Sequence, residues 1–598
     1  MFQSFTATTS PENGAPRLAL LRQELAAQGA DGFLVPRSDA HCGENVAARD
    51  ERLAWLTGFT GSAGQCVVLR DQAALFVDGR YTLQVRSQTY EQSFSYFQAP
   101  QERPETWLKE HLSEGQTLAY DPWLHGKDEV DRLEKALGPA GIALKPLAAN
   151  PIDAVWQDQP DPPLGKVTIF PESVAGKSHA VKRAEIAALL AVDGVDAVVL
   201  TLPDSIAWLL NIRGGDIPRM PVAQGFAILH ATGRVQLFIA EAKISPEIRA
   251  HLGPDVSIAS PASFITALAD LGGKVALDPA TAPMSVAAAL SAEIHWMRDP
   301  CALQKACKTE AELASTRAAH LTDAAAMARF LAWLDQAAPS GTLTEIDVAQ
   351  KLEAFRRAGN TLQDISFETI SGSGPNGAIV HYRVTEESNR KIAPGELLLV
   401  DSGGQYLEGT TDITRTVATG PVREDARRAF TLVLKGMIAI SRARWPEGLA
   451  GRDLDALARS ALWQEGFDYD HGTGHGVGVY LGVHEGPQNL SRRGLEPLKP
   501  GMILSNEPGY YKEGAFGIRI ENLVVVEPPS VPEGGDRPML SFETITFAPI
   551  DRRLIDPALL VDAERIWLND YHARVLEVVA PRVDAATAGW LAQACAPI

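Results

Sequence analysis

The sequence predicts a chain of α/β and α+β domains, in which two tandem α/β domains precede a larger third domain. At 598 residues, the chain is too long for a single hydrophobic core, so several domains are expected. One α/β pattern occurs twice in the first half. In the second half, carboxylates and a histidine follow or interrupt strand-like runs. These observations predict two related N-terminal domains and a functional site in the third.

The first half contains two copies of one α/β unit. A helical pattern, a glycine and a strand-like run follow one another over residues 16–35 and again over residues 186–200. Residues 29–31 (Gly-Ala-Asp) match residues 194–196 (Gly-Val-Asp) at the same point of the pattern. The repetition therefore predicts two copies of the same fold.

The domain boundaries follow from composition and periodicity. A stretch rich in Pro and Asp separates the two copies, which gives domains at 1–158 and 159–305. An Ala-rich amphipathic pattern predicts a long helix that opens the third domain, 306–547. The last segment, 548–598, ends in a helical pattern that runs to Ala594.

Composition indicates which partners the protein does not bind and in which compartment it is expected. The net charge of −19 argues against nucleic-acid and anionic-membrane partners, because both need clustered Lys and Arg. No apolar run approaches the roughly 20 residues of a membrane span, and no signal peptide is recognisable. The five cysteines are scattered and odd in number, which favours reduced thiols. These features predict a cytoplasmic protein.

Five residues of the third domain have metal-ligand chemistry. They are Asp401, Asp412, His475, Glu507 and Glu521. Four carboxylates and one imidazole suit hard or borderline divalent ions such as Mn²⁺, whereas structural zinc sites favour thiolates. A lone Asp after an apolar run is usually a turn or cap residue. Each of the five, however, has a sequence context that fits a ligand, which makes them candidates for a metal site.

The neighbours of these residues favour the same interpretation. Asp401 ends an apolar run, and Asp412 follows eleven residues later beyond a Gly-bearing turn, which predicts two antiparallel strands with adjacent carboxylates. His475 lies in a segment too rich in glycine for a helix, where the backbone approaches a ligand closely. Arg519 lies two residues before Glu521 on a predicted strand, so both are expected on one face, with Arg519 orienting the ligand carboxylates.

Two apparent motifs are excluded. Residues 372–377 match the dinucleotide fingerprint G-x-G-x-x-G, but a strand-like run follows instead of a helix. The pair His484-Glu485 lacks the second histidine of H-E-x-x-H and precedes Gly and Pro. Neither a nucleotide site nor a zincin helix is therefore predicted.

The order Asp, Asp, His, Glu, Glu with these neighbours resembles the pita-bread metallopeptidases, which include methionine aminopeptidase, prolidase and aminopeptidase P. The quoted strings are similar to those of the cytosolic, three-domain aminopeptidase P: residues 381–383 (His-Tyr-Arg), 471–478, 484–488 (His-Glu-Gly-Pro-Gln) and 506–511 (Asn-Glu-Pro-Gly-Tyr-Tyr). The resemblance implies two creatinase-like N-terminal domains, a pita-bread catalytic domain and a homodimer. It also implies that 548–598 is a C-terminal extension that packs on the catalytic domain.

The resemblance also implies the roles of the site residues. The five ligands would hold two divalent ions, with a metal-bridged hydroxide as the nucleophile. Mn²⁺ is the expected ion, and Zn²⁺ and Co²⁺ are the alternatives. Glu507 would also shuttle a proton, and His381 and His484 would act in catalysis and contact the substrate. His471 and Arg80, the latter in an Asp-Gly-Arg-Tyr string, would be further substrate contacts. The substrates would be peptides with a free N-terminus and proline in the second position.

Several alternatives remain beside this one. Prolidase cleaves Xaa-Pro dipeptides, but the tandem N-terminal domains favour aminopeptidase P. Methionine aminopeptidase does not need 300 residues ahead of its catalytic domain, and creatinase lacks the metal ligands. A catalytically inactive binding module shares the fold but has lost ligands, whereas all five are present here.

Overall fold

The computed structural model describes residues 1–598. The chain forms two compact units. One contains Thr8–Glu172 and Lys177–Ala302, and the other contains Met1–Ala7, Ser173–Gly176 and Leu303–Ile598. The first unit holds the two predicted α/β domains, and the second holds the five candidate ligands.

The first α/β domain consists of short alternating helices and strands. They are α1 (Gly14–Ala27), β1 (Gly32–Pro36), α2 (Arg52–Thr57), β2 (Gln65–Leu69), β3 (Ala73–Val77), α3 (Gln84–Gln88), β4 (Ser95–Gln98), α4 (Pro104–His111), β5 (Thr117–Tyr120), α5 (Lys127–Leu137), β6 (Ala143–Pro146) and α6 (Pro151–Val155). The strands form one mixed sheet in the order β4-β3-β2-β1-β5-β6.

The second copy and its flanking elements follow along the chain. They are β7 (Thr168–Ile169), α7 (Glu172–Ala175), α8 (His179–Val192), β8 (Ala197–Leu200), α9 (Pro203–Leu210), β9 (Ile212–Arg213), β10 (Phe226–His230), β11 (Val235–Phe238), α10 (Pro246–Leu252), β12 (Val256–Ala259), α11 (Phe264–Ala269), β13 (Lys274–Leu277), α12 (Met284–Ala289) and β14 (Glu293–Trp296).

The two domains have the same sheet topology. The second sheet has the order β12-β11-β10-β8-β13-β14, which repeats the first sheet strand for strand. The pairings agree as well: β1 is antiparallel to β2 and parallel to β5, and β8 is antiparallel to β10 and parallel to β13. The predicted duplication and fold class are therefore confirmed.

The second unit begins with a linker helix and then a long helix. Its elements are α13 (Pro300–Ala306), α14 (Glu310–Ala337), α15 (Glu345–Arg357), β15 (Leu362–Ile365), β16 (Ile370–Ser373), β17 (Leu397–Ser402), β18 (Gly404–Tyr406), β19 (Gly409–Thr410), β20 (Ile413–Ala418), α16 (Glu424–Ser441), α17 (Gly451–Trp463), β21 (Gly474–Gly476), β22 (Glu485–Leu490), β23 (Ile503–Asn506), β24 (Gly509–Lys512), β25 (Phe516–Arg519), β26 (Asn522–Val526), β27 (Phe542–Thr544), α18 (Asp562–Val579) and α19 (Ala585–Ala594).

Two sheets of this unit carry the candidate site. A three-stranded sheet has the order β16-β17-β20, and a five-stranded sheet has the order β22-β21-β23-β26-β27. Helix α14 begins at a capping box in which Thr309 and Glu312 satisfy each other's backbone N–H groups. That cap explains why the predicted long helix starts where it does.

The C-terminal segment shares a core with the rest of the unit. Apolar residues of α18, including Leu568 and Val575, belong to the same buried cluster as Phe430 and Met437 of α16. Arg415 of β20 donates hydrogen bonds to the carbonyl oxygens of Ala548 (2.8 Å) and Pro549 (3.1 Å). The strand that follows Asp412 is thus joined to the C-terminal segment.

Short segments of the chain depart from the predicted domain limits. Residues Ser173–Gly176, which the sequence places in domain 159–305, group with the second unit. Residues Met1–Ala7, which the sequence places in domain 1–158, group with the second unit. The reason is burial, because the side chains of Gln3 and Phe5 are covered there. None of the helices combines the length and apolar character that a membrane crossing needs.

Candidate metal centre

Antiparallel strand pairing brings the five candidate ligands together. Asp401 pairs with Thr414 across β17 and β20, and Ile413 pairs with Ser402, so Asp412 lies at the same end of the pair as Asp401. In the other sheet, Asn506 of β23 pairs with Asn522 of β26. Glu507 follows one of these residues and Glu521 precedes the other. Both glutamates therefore leave the sheet at the same end.

Three of the five side chains form a compact group. The ligand atoms of Asp412, His475 and Glu521 all lie within 4.8 Å of one another. His475 Nε2 is 3.5 Å from Asp412 Oδ2 and 3.5 Å from Glu507 Oε1, which adds the fourth residue. Asp401 belongs to the same group of charges, because the carboxylate of Asp412 is close enough to add to the rise that burial causes in the pKa of Asp401.

Hydrogen bonds to neighbouring residues fix the orientation of these ligands. Thr414 donates its hydroxyl to Glu521 Oε2 (2.8 Å), while its carbonyl accepts the Glu521 N–H (3.2 Å). Ser505 donates to Glu507 Oε1 (3.1 Å). Partners of this kind determine which ligand oxygen faces the centre.

Arg519 forms its ion pair with Asp401. Its Nη2 lies 2.6 Å from Asp401 Oδ2, and its Nε is 4.0 Å from Glu507 Oε2. The sequence predicted an arginine that orients the ligand carboxylates on the strand of Glu521. In the structure, β25 ends at Arg519 and β26 begins after Glu521. Arg519 therefore reaches across the site rather than along its own strand.

The residues present fit a metal ion. Asp401 Oδ1, Asp412 Oδ1 and Glu521 Oε1 are buried and have no hydrogen-bond partner. Orphaned buried carboxylate oxygens are costly unless a cation takes them. His475 donates Nδ1–H to the Gly476 carbonyl (2.9 Å), which leaves the Nε2 lone pair directed at the carboxylates. The donor set, one imidazole and four carboxylates, is suited to divalent ions.

The pKa shifts of the candidate ligands reflect the burial of several carboxylates close together. Burial raises the pKa of Glu521 well above its usual value, and the neighbouring carboxylates of Asp412 and Asp401 raise it further. Burial also raises the pKa of Asp401 and of Glu507, although Arg519 opposes both shifts. For His475, burial opposes protonation, but Asp412 and Glu507 raise its pKa to about 9. A proton on His475 thus supplies positive charge that partly balances the carboxylates around it.

This charge balance gives a prediction for metal binding. Affinity for Mn²⁺ is expected to fall as the pH is lowered, because the ion must displace the proton on His475 and any protons on the raised carboxyl groups. Calorimetric titration at pH 7.5 in two buffers of different ionisation enthalpy is expected to show release of about one proton or more. A binding enthalpy that is the same in both buffers would contradict this.

The histidines predicted around the ligands make different contacts. The ring of His484 lies edge-to-face against His475, with centroids 4.3 Å apart. His471 donates Nδ1–H to the Gly472 carbonyl and accepts a hydrogen bond at Nε2 from Tyr511 Oη (2.8 Å). Tyr511 in turn accepts from Arg519 Nη1 (2.6 Å). His471 is therefore linked to Asp401 through Tyr511 and Arg519.

His381 follows the short 3₁₀ segment Gly374–Ala378 in the same unit. Its predecessor, Val380, accepts a hydrogen bond from Arg519 Nη1 (3.3 Å) at the carbonyl, and its successor, Tyr382, donates its hydroxyl to Glu345 Oε2 (2.9 Å). The residues on both sides of His381 are thus held, Val380 by its carbonyl and Tyr382 by its hydroxyl. Its role in catalysis stays a prediction.

Arg80 belongs to the other unit. It lies just after β3, where its Nε donates to Asp78 Oδ1 (2.9 Å) and its Nη2 donates to Asp78 Oδ2 (2.6 Å). The aspartate of the same Asp-Gly-Arg-Tyr string therefore orients the guanidinium. Its predicted contact with substrate stays a prediction.

Sequence reasoning missed three contributors to the site. Thr414 and Ser505 orient ligand carboxylates, and Tyr511 joins His471 to Arg519. Tyr511 lies in the Asn-Glu-Pro-Gly-Tyr-Tyr string of the resemblance, but the string alone does not show that it bonds to His471 and Arg519. Hydroxyl residues on strands are too common for their roles to be recognised without the fold.

Family models match four consecutive parts of the chain. Residues 314–528 match metallopeptidase family M24, and residues 538–598 match its C-terminal region. Residues 17–154 and 158–312 each match a creatinase/prolidase N-terminal domain. The two N-terminal matches coincide with the two sheets of equal topology.

Individual proteins match over nearly the full length. The chain is 41% identical to a protein named probable Xaa-Pro aminopeptidase P of Aspergillus fumigatus, over 99% of this chain and 94% of that one. It is 39% identical to aminopeptidase P2 of Arabidopsis thaliana, over 94% and 84%. The structure of the X-prolyl aminopeptidase of Caenorhabditis elegans, described as a cytosolic enzyme with a di-nuclear active site, superposes with a TM-score of 0.94 at 34% identity, covering 98% of this chain and all of that one.

Proposed function

Because the chain belongs to metallopeptidase family M24, we propose that it is an Xaa-Pro aminopeptidase, a metal-dependent exopeptidase that releases the N-terminal residue from peptides with proline in the second position. The observation that carries this function is the convergence of Asp412, His475 and Glu521 in a chain that is similar to such enzymes from end to end.

We propose that Asp401, Asp412, His475, Glu507 and Glu521 hold two divalent ions. Three of the carboxylates have a buried oxygen without a hydrogen-bond partner, which supports this set. When bound, such ions polarise a carbonyl and make water nucleophilic near neutral pH. Manganese is the proposed metal, with zinc and cobalt as the alternatives that the same donor set accepts.

Glu507 is the proposed proton carrier. Its Oε1 lies 3.5 Å from His475 Nε2, and burial raises its pKa. A carboxyl group with a raised pKa accepts a proton more readily near neutral pH, as a general base requires. Ser505 holds Oε1 in place, so the proton would be taken up and released at a fixed position.

His381 and His484 are the proposed contacts to the scissile carbonyl, and His471 and Arg80 are proposed contacts further along the peptide. The ring contact between His484 and His475 supports the first of these roles. The bond before proline has no N–H for an enzyme to bind, so recognition depends on the carbonyl, the free amine and the shape of the ring. The link from His471 through Tyr511 to Arg519 provides a rigid wall for such a pocket.

The substrate assignment is tested with a matched set of peptides. Ala-Pro-Ala is expected to be cleaved after the first residue by protein reloaded with Mn²⁺, and metal-stripped protein is expected to be inactive. Ala-Ala-Ala and N-acetyl-Ala-Pro-Ala serve as controls that lack the proline and the free amine. Faster cleavage of the dipeptide Ala-Pro than of the tripeptide would favour prolidase. Inactivity on all of them with Mn²⁺, Zn²⁺ and Co²⁺ would favour a binding module.

We also propose a cytoplasmic homodimer. The C. elegans protein is described as cytosolic, and all five cysteines are free thiols here, which suits a reducing compartment. The homodimer is proposed from the resemblance to the three-domain aminopeptidase P. Sedimentation analysis is expected to give twice the chain mass of 64.3 kDa, and a monomer at all concentrations would contradict the proposal.

A further inference from the structure

The first residues of the chain form an arm on the catalytic unit. We define the arm as Met1–Ala7, which groups with that unit and not with the α/β domain that follows it in sequence. Its side chains alternate in burial. Gln3 and Phe5 are 6% and 9% exposed, whereas Ser4 and Thr6 are exposed. This period of two is that of a strand with one face covered.

Gln3 fastens the arm beside β16. Its Nε2 donates to the Thr369 carbonyl (3.2 Å), and its Oε1 accepts the Thr369 N–H (3.0 Å). The side-chain amide therefore pairs with one backbone residue in the way that a neighbouring strand would. Thr369 immediately precedes Ile370, which pairs with Asp401. The arm is thus one strand away from a candidate ligand.

Phe5 fastens the arm to the residues after His381. Its ring belongs to a buried cluster with Tyr382 and Val384, and its carbonyl accepts the Glu386 N–H (2.8 Å). Arg383 completes the contact by donating to the carbonyl oxygens of Ser4 (3.3 Å) and Thr6 (3.2 Å). The arm therefore contacts the stretch 382–386 at both of its ends.

His381 lies between this stretch and the ligand network. On its N-terminal side, Val380 accepts from Arg519, which pairs with Asp401. On its C-terminal side, Tyr382 and Arg383 are held by Glu345 and by the arm. The arm is therefore one of the supports that determine where the imidazole of His381 lies relative to the ligands.

We propose that the arm positions His381 for the reaction, with Phe5 and Gln3 as the positioning residues. The inference rests on the proposed function, because it takes His381 to contact the substrate. It explains why buried side chains occur in a segment that precedes the first domain. A displacement of about 1 Å in a group that contacts the reacting carbonyl costs up to about a hundredfold in rate, so support at this distance matters to the chemistry.

The test compares inward and outward positions of the arm in the full chain. Phe5→Ala and Gln3→Ala are expected to lower kcat on Ala-Pro-Ala by about tenfold to a hundredfold, with smaller changes in KM and with unchanged metal content. Ser4→Ala and Thr6→Ala are the matched controls, since only their backbone carbonyls are used. Phe5→Leu, which keeps an apolar side chain, is expected to restore most of the rate.

A double-mutant cycle separates positioning from general damage. In a His381→Ala background, Phe5→Ala is expected to have little further effect on kcat, because both changes remove the same interaction. If the double variant instead lost kcat by the product of the two single-variant factors, the inference would be overturned. Equal kcat values for Phe5→Ala, Gln3→Ala and the two controls when the unsubstituted enzyme is active would also overturn it.

A second measurement does not depend on activity. Amide hydrogen exchange over residues 382–386 is expected to be at least about tenfold faster in Phe5→Ala than in Ser4→Ala, because the arm contacts that stretch. Equal exchange in the two variants would overturn the inference on its own. An inactive unsubstituted enzyme with the expected exchange difference would instead refute the proposed function and keep the arm as a support of the His381 segment.

Discussion

Replacing Asp412 with asparagine is expected to lower kcat on Ala-Pro-Ala by about a thousandfold, which corresponds to about 4 kcal/mol of transition-state stabilisation. Asp412 is central to the compact group with His475 and Glu521, and one of its oxygens is buried without a partner. Asparagine has nearly the same size but provides a neutral ligand. The variant is therefore expected to lose metal as well as rate.

Metal analysis after gel filtration checks the first part of this expectation. The unsubstituted protein is expected to retain two ions per chain and Asp412→Asn fewer, under the same wash. Asp562→Asn is the control, because its side chain is 91% exposed at the start of α18 and the charge change is the same. Full metal content together with full activity in Asp412→Asn would show that the proposed ligand set is wrong.

The sequence was sufficient for the duplication and for the choice of candidate ligands. The two copies could be predicted because each strand and helix carries its own local pattern, and these patterns recur in the same order. The five ligands could be selected because their residue types and neighbours match one family as a group. Neither prediction required knowledge of which residues contact each other in the folded chain.

The contacts that support the ligands could not be predicted in this way. The position of Arg519 near Glu521 in sequence suggested a face of a strand, but its partner, Asp401, lies 118 positions away. The arm contact between Gln3 and Thr369 spans 366 positions. Local periodicity determines which side of an element a residue faces, whereas partners at such separations depend on the packing of whole elements.

The largest expected effect on stability comes from a buried charge cluster next to His484. Glu485 forms ion pairs with Lys305 Nζ (2.9 Å) and with Lys308 Nζ, and Lys308 also donates to the Lys305 carbonyl (2.7 Å). The three side chains are between 1% and 4% exposed. One carboxylate thus pairs with two buried ammonium groups. These ion pairs connect β22 to the linker helix and to the residue that follows it.

Replacing Glu485 with glutamine is expected to destabilise the protein by about 3–5 kcal/mol, because it removes the buried carboxylate that pairs with both ammonium groups. The free energy of unfolding is measured by urea titration, and the thermal midpoint is expected to fall by about 10 °C. Glu577→Gln is the control. It removes the same charge from an exposed pair with Arg574, where about 1 kcal/mol or less is expected.

A compensating variant shows whether charge burial is the cause. In the Glu485→Gln background, Lys305→Met and Lys308→Met together remove both buried positive charges and keep apolar stems of similar length. Such a replacement of a buried ionic cluster is often close to neutral, so most of the lost stability is expected to return. A triple variant as unstable as Glu485→Gln would locate the loss in the shape of the Glu485 site. Recovered stability without recovered activity would indicate that the pairing also holds His484 in its place beside His475.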